Sequence, residues 1–116
     1  MTSTASLIAV PPIYETVTWQ SKPNISDSDM IQAVTDFGEC VRTLPGFLHS
    51  ALYSHISSHW VLVYYWKTME DAEHSNQAVA DDPRFLQLTA LIEPKTVIIQ
   101  CHSPLAQTGK LAFSVE

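Results

Sequence analysis

Tyr64 and Trp66 stand two residues apart in the run Trp60-Val-Leu-Val-Tyr-Tyr-Trp66, a step that puts both side chains on one face of an extended chain. A phenol beside an indole offers a flat stacking wall with a hydrogen-bond donor at its edge. His74 carries the side chain that exchanges a proton most readily near neutral pH, which makes it the candidate general base. Phe37, Leu62 and Phe85 are the apolar candidates to close a substrate pocket around the aromatic pair, and Arg84 is the candidate partner for an anionic substrate group. Each has a plainer reading: Tyr64 and Trp66 as core aromatics, His74 as an exposed helical residue, Arg84 as half of a surface ion pair. Glu15, a carboxylate inside a strand pattern, is a position to test for burial.

Familiar cofactor motifs are missing. Three scattered glycines do not make a phosphate-binding loop, and neither Cys-x-x-Cys nor His-Glu-x-x-His occurs. His55 and His59 have a metal-like spacing but no evident third ligand. Cys40 and Cys101 are too few for a disulfide scaffold or a four-cysteine zinc site and read as reduced thiols. No cofactor is expected: nicotinamide, flavin and metal are not indicated, and chemistry would rest on side chains and substrate.

Length and charge narrow the partners. At 116 residues the chain makes one domain with a real core. Twelve acidic and six scattered basic residues give a net charge of -6, unfavourable for nucleic acid or an anionic membrane. No segment approaches a membrane span, and the first residues lack a basic stretch ahead of a long apolar one. A cytoplasmic protein is expected.

The elements that must position the candidate residues follow from periodicity. Residues 1–12 read as an arm ending in Pro11-Pro12, and Ile13 to Gln20 alternates as a strand. Ser26 or Asp27 caps a helix whose Met30, Ile31, Val34, Phe37, Val41 and Leu44 recur at helical steps, until Pro45-Gly46 ends it. Phe47 to Ile56 is extended, with Leu48, Leu52 and Ile56 on one face and Phe47, His49, Ala51, Tyr53 and His55 on the other. It forms a hairpin with the Trp60–Trp66 strand. A second helix runs from about Met69 to Val79 behind Thr68, and Asp81-Asp82-Pro83 restarts a helix with an acidic cap and Pro at its first position. Lys95 to His102 is the last core strand, and residues 103–116 form a tail in which 111–115 is a possible edge strand.

The order β-α-β-β-α-β defines an α+β, ferredoxin-like fold with one antiparallel sheet and its helices on one face. Trp60 to Trp66 is apolar on both faces, so the strand must be covered twice. Trp60, Leu62, Tyr64 and Trp66 go beneath the helices. Val61, Val63 and Tyr65 become a seam for a second copy, giving a homodimer.

Leu44-Pro45-Gly46-Phe47-Leu48, a hairpin, Tyr65-Trp66-Lys67-Thr68-Met69-Glu70-Asp71-Ala72, Pro83-Arg84-Phe85 and Leu91-Ile92-Glu93-Pro94 resemble antibiotic-biosynthesis-monooxygenase domains of the dimeric α+β barrel superfamily. The resemblance spans about residues 13–102 and implies a dimer with a hydrophobic pocket between sheet and helices. It also implies cofactor-free oxidation of an aromatic or polyketide-like molecule by dioxygen. Cyclase, isomerase or lyase chemistry in the same pocket, or a non-catalytic dimeric binding module, are the rival readings. Members often carry a histidine on the second helix at the place held here by Ser75, with His74 one step, about 100°, away. The haem-degrading branch uses an Asn, a Trp and a His, whereas this first strand has no Asn, Ser75 stands for the Trp and Thr89 or a neighbour for the His. Haem degradation is disfavoured.

Overall fold

The computed structural model describes residues 12–54, 56–109, 111 and 113. The arm at 1–12 therefore lies outside the described residues except for Pro12, as does His55. Of the possible edge strand at 111–115 only Leu111 and Phe113 are described, neither of them in a strand.

Three helices cover one face of a four-stranded antiparallel sheet. The strands are β1 (Ile13–Gln20), β2 (Phe47–Ser54), β3 (His59–Trp66) and β4 (Ile98–His102), in the order β2-β3-β1-β4. The helices are α1 (Asp27–Val41), α2 (Met69–Ala78) and α3 (Pro83–Thr89). Each begins where a short polar side chain satisfies a free backbone N–H. Ser26 Oγ accepts from Asp29, Thr68 Oγ1 from Asp71, and Asp82 Oδ1 from Arg84, with Pro83 in the first turn of α3.

Strand pairing sorts the side chains into two faces. Ile13 pairs with Trp66, Glu15 with Tyr64, Val17 with Leu62 and Trp19 with Trp60, so these four rows share the face beneath the helices. Met30, Val34, Phe37 and Val41 of α1 are buried against them, whereas Ile31, expected in the same stripe, is about half exposed. Tyr14, Val61, Val63 and Tyr65 lie on the opposite face with His49, Ala51 and Tyr53. Tyr14 and Tyr65 stack there at 5.3 Å, and Phe113 of the tail lies 5.3 Å from Tyr65 and 6.1 Å from His49.

Two expectations for the strands are corrected. A bulge between Phe47 and His49 inserts Leu48 as an extra residue, which turns Phe47 to the helix side, where it meets Trp66 edge-on at 5.8 Å. Strict alternation from Ser54 backwards puts Phe47 on the wrong face. The last strand is shorter than 95–102, because Pro94–Thr96 forms a 3-10 turn first, and it is not a core strand. It is the sheet edge, with Ile98 and Ile99 about half exposed.

Candidate active site

A cavity of about 590 Å³ lies between the covered sheet face and the helices. Its floor is Glu15, Val17 and Trp19 of β1 with Leu62, Tyr64 and Trp66 of β3. Phe37 and Val41 of α1 and Phe85 and Leu88 of α3 form walls, the two phenylalanine rings meeting at 5.5 Å. Ser75 and Asn76 close the α2 side. Pro94, Val97 and Ile99, all exposed, mark the mouth beside the edge strand. A volume of this size and an apolar lining are typical of a small-molecule site.

Among the described residues Glu15 is the one charged side chain lining the cavity, and it is 2% exposed. Its Oε1 accepts a hydrogen bond from Trp66 Nε1 at 2.8 Å. Among the described residues Oε2 accepts none, and no cationic side chain lines the cavity. Burial raises the Glu15 pKa above the ordinary carboxylate value, opposed only by the indole hydrogen bond. Tyr64, beside it in register, is 6% exposed. Burial, followed by the neighbouring Glu15 charge, pushes its phenol strongly up, so the hydroxyl keeps its proton and remains a donor. The pair thus has one carboxylate able to take a proton and one hydroxyl able to steady an anion.

The structure brings Phe37, Leu62, Tyr64, Trp66 and Phe85 together at this cavity and does not bring His74 or Arg84 to it. His74 is exposed on α2, whereas Ser75, one step round the helix, is buried and lines the cavity, its Oγ donating to the Ala72 carbonyl at 2.6 Å. Arg84 is committed elsewhere. Its Nε and Nη2 donate to the two Asp82 oxygens at 3.0 Å each, and this fork holds the Asp82 carboxyl well below its usual range. The histidine at the hairpin turn, His59, contacts the Gln20 side chain through Nε2 at 2.6 Å. Trp19 and the α3 residues Leu88 and Thr89 also line the cavity without having been singled out by type or spacing.

No family model and no curated protein matches the chain. Solved structures do. A variant of SnoaB, a cofactor-independent oxygenase from Streptomyces nogalater, superposes with a TM-score of 0.70 at 11% identity, covering 84% of this chain and 96% of that one. A protein provisionally assigned as an antibiotic biosynthesis monooxygenase from Bordetella bronchiseptica gives 0.72 at 14% identity, over 83% and 99%. A NIPSNAP family protein of unknown function from Agrobacterium tumefaciens gives 0.64 at 18%, over 91% and 99%. The chain therefore has the α+β, ferredoxin-like fold of antibiotic-biosynthesis-monooxygenase proteins. At such identities the likeness is one of fold, and function must be argued from the site.

Proposed function

We propose that this protein is a cofactor-independent monooxygenase acting on an aromatic or polyketide-like small molecule. The observation that carries the reading is Glu15, a buried carboxylate without a cationic partner in the lining of an otherwise apolar cavity, next to the phenol of Tyr64. A flat substrate lies against Trp66 and Tyr64 between Phe37 and Phe85, all of which line the same space. Glu15 removes a proton from an activated ring CH₂, and Tyr64 donates a hydrogen bond to the resulting enolate oxygen. The carbanion gives one electron to dioxygen, and the radical pair combines to a carbon-bound peroxide. The peroxide takes the proton held by Glu15. The remaining C–H proton leaves as the O–O bond breaks, giving a ring carbonyl and one water. Burial serves this sequence by excluding solvent from the anion.

The fold shared with a cofactor-independent oxygenase supports the reaction class. The exposed Tyr53 and the Tyr14–Tyr65 pair on the open sheet face support a homodimer, in which a second copy covers that face. The two free cysteines fit a reducing, cytoplasmic setting. Cyclase, isomerase or lyase chemistry is the second reading, because a buried base beside a phenol serves proton transfer without dioxygen. A non-catalytic module fits less well. Tyr64, Trp66 and Phe85 border the cavity rather than fill it, and a carboxylate lines it.

An oxygen electrode decides between the readings. With anthrone- or quinol-type substrates the protein should consume one dioxygen per substrate and stop under anaerobic conditions. Turnover that continues without dioxygen would establish the second reading, and neither binding nor turnover would remove both.

A further inference from the structure

We propose that Glu15 is also a charge filter, so that the cavity accepts uncharged ring systems and rejects their carboxylated counterparts. The inference rests on taking the sheet–helix cavity as the substrate site. Among the described residues that border the space there is no Lys, Arg or His, and the one charged side chain is acidic. An anionic ligand entering there loses its hydration, finds no counter-ion, and meets a like charge in a medium that screens poorly. Arg84, the cation nearest in sequence to the α3 wall, is held by both oxygens of Asp82 and is not among the lining residues. An uncharged ligand meets none of these penalties. Its hydroxyl can donate to Glu15 Oε2, which accepts no hydrogen bond from the described residues.

Carboxyl groups are common decorations of flat aromatic metabolites, so the filter bears on place in a reaction sequence. The reaction that supplies this substrate must leave it without a free acid, by decarboxylation or by esterification.

The test uses two probes of matched shape, the hydroxymethyl and carboxylate derivatives of anthraquinone at the same ring position. Neither has a CH₂ ring carbon to oxidise, so binding is read free of turnover. The full chain at neutral pH should bind the hydroxymethyl probe at least about tenfold more tightly than the carboxylate. Glu15→Gln should narrow the preference to a few-fold, chiefly by tightening the carboxylate probe, whose like-charge penalty is gone. A second measurement needs no variant. Calorimetry of the wild-type chain in two buffers of different ionisation enthalpy should show proton uptake with the carboxylate and none with the alcohol. The ionisable groups facing Glu15 across the sheet are Tyr64 on β3 and Cys101 on β4, and burial keeps both protonated. α1, α2 and α3 contribute only uncharged lining, so an absorbed proton is held between Glu15 and the probe's own carboxylate, the two acids that binding brings together.

Equal affinity for the two probes, failure to bind either, or a preference unchanged in Glu15→Gln would overturn the proposal. The charge filter and the oxygenase reading fail separately. A protein that discriminates but consumes no dioxygen keeps the filter alone, and one that oxidises both charge classes alike loses only the filter.

Discussion

At the scale of single residues, Glu15 carries the proposed chemistry and a cost to folding. A carboxyl whose pKa is raised in the folded state binds its proton more tightly folded than unfolded. Its contribution therefore favours folding at low pH and is lost as pH rises from the ordinary carboxylate range through the raised value. Glu15→Gln should flatten that slope and raise the melting temperature at neutral pH, which thermal denaturation across a pH series will measure. In the proposed reaction Trp66 serves Glu15 as well as stacking on the substrate. Its N–H bond to Oε1 is the one interaction that holds the Glu15 pKa down. In Trp66→Phe the carboxylate loses that donor, and the acidic limb of the pH–rate profile should move to higher pH. An unmoved limb with reduced kcat would make Trp66 a packing residue only.

At the scale of elements, the two faces of β3 were legible because Trp60, Leu62, Tyr64 and Trp66 form a bulkier set than Val61, Val63 and Tyr65, although a strand apolar on both sides leaves its register to the pairing. The partners on β1 followed from pairing, which set Glu15 beside Tyr64. The helix caps were legible for the same local reason, since Ser26, Thr68 and Asp82 each serve a backbone N–H within three residues. What the sequence hid is tertiary. Periodicity does not announce the bulge that turns Phe47 inward, nor which of two adjacent positions, His74 or Ser75, faces the cavity. Typical catalytic residue types drew attention to His74 and Arg84. The better signal was a charge on the inward set of a β-branched and aromatic strand, which is Glu15. Gly46 shows another such constraint. It has φ +79°, and a Cβ there would run into the Asp71 carboxylate at the start of α2. Gly46→Ala should destabilise the protein by about 1–3 kcal/mol, seen as a lower urea midpoint with an unchanged slope.

At the scale of the whole molecule, the sheet has two working faces. One holds the cavity. The other forms an open groove in which Val61, Val63 and Tyr65 lie beside Tyr14 and His49, with Leu111 and Phe113 of the tail at its border. The proposed second copy covering this face would account for apolar residues on both sides of β3. Tyr65→Asp introduces a charge into that seam without touching the cavity lining, and sedimentation should then report monomers where the wild type gives dimers. A wild-type chain that sediments as a monomer would leave the apolar groove for another partner.

The measurement closest to the central claim is single-turnover dioxygen uptake by wild type and Glu15→Gln with one anthrone-type substrate, alongside its binding affinity. Glu15 as the base predicts stoichiometric uptake by the wild type. The variant should bind the substrate about as well and react roughly 10²- to 10⁴-fold more slowly. Equal rates in the two proteins, or uptake no faster than in buffer, would contradict it.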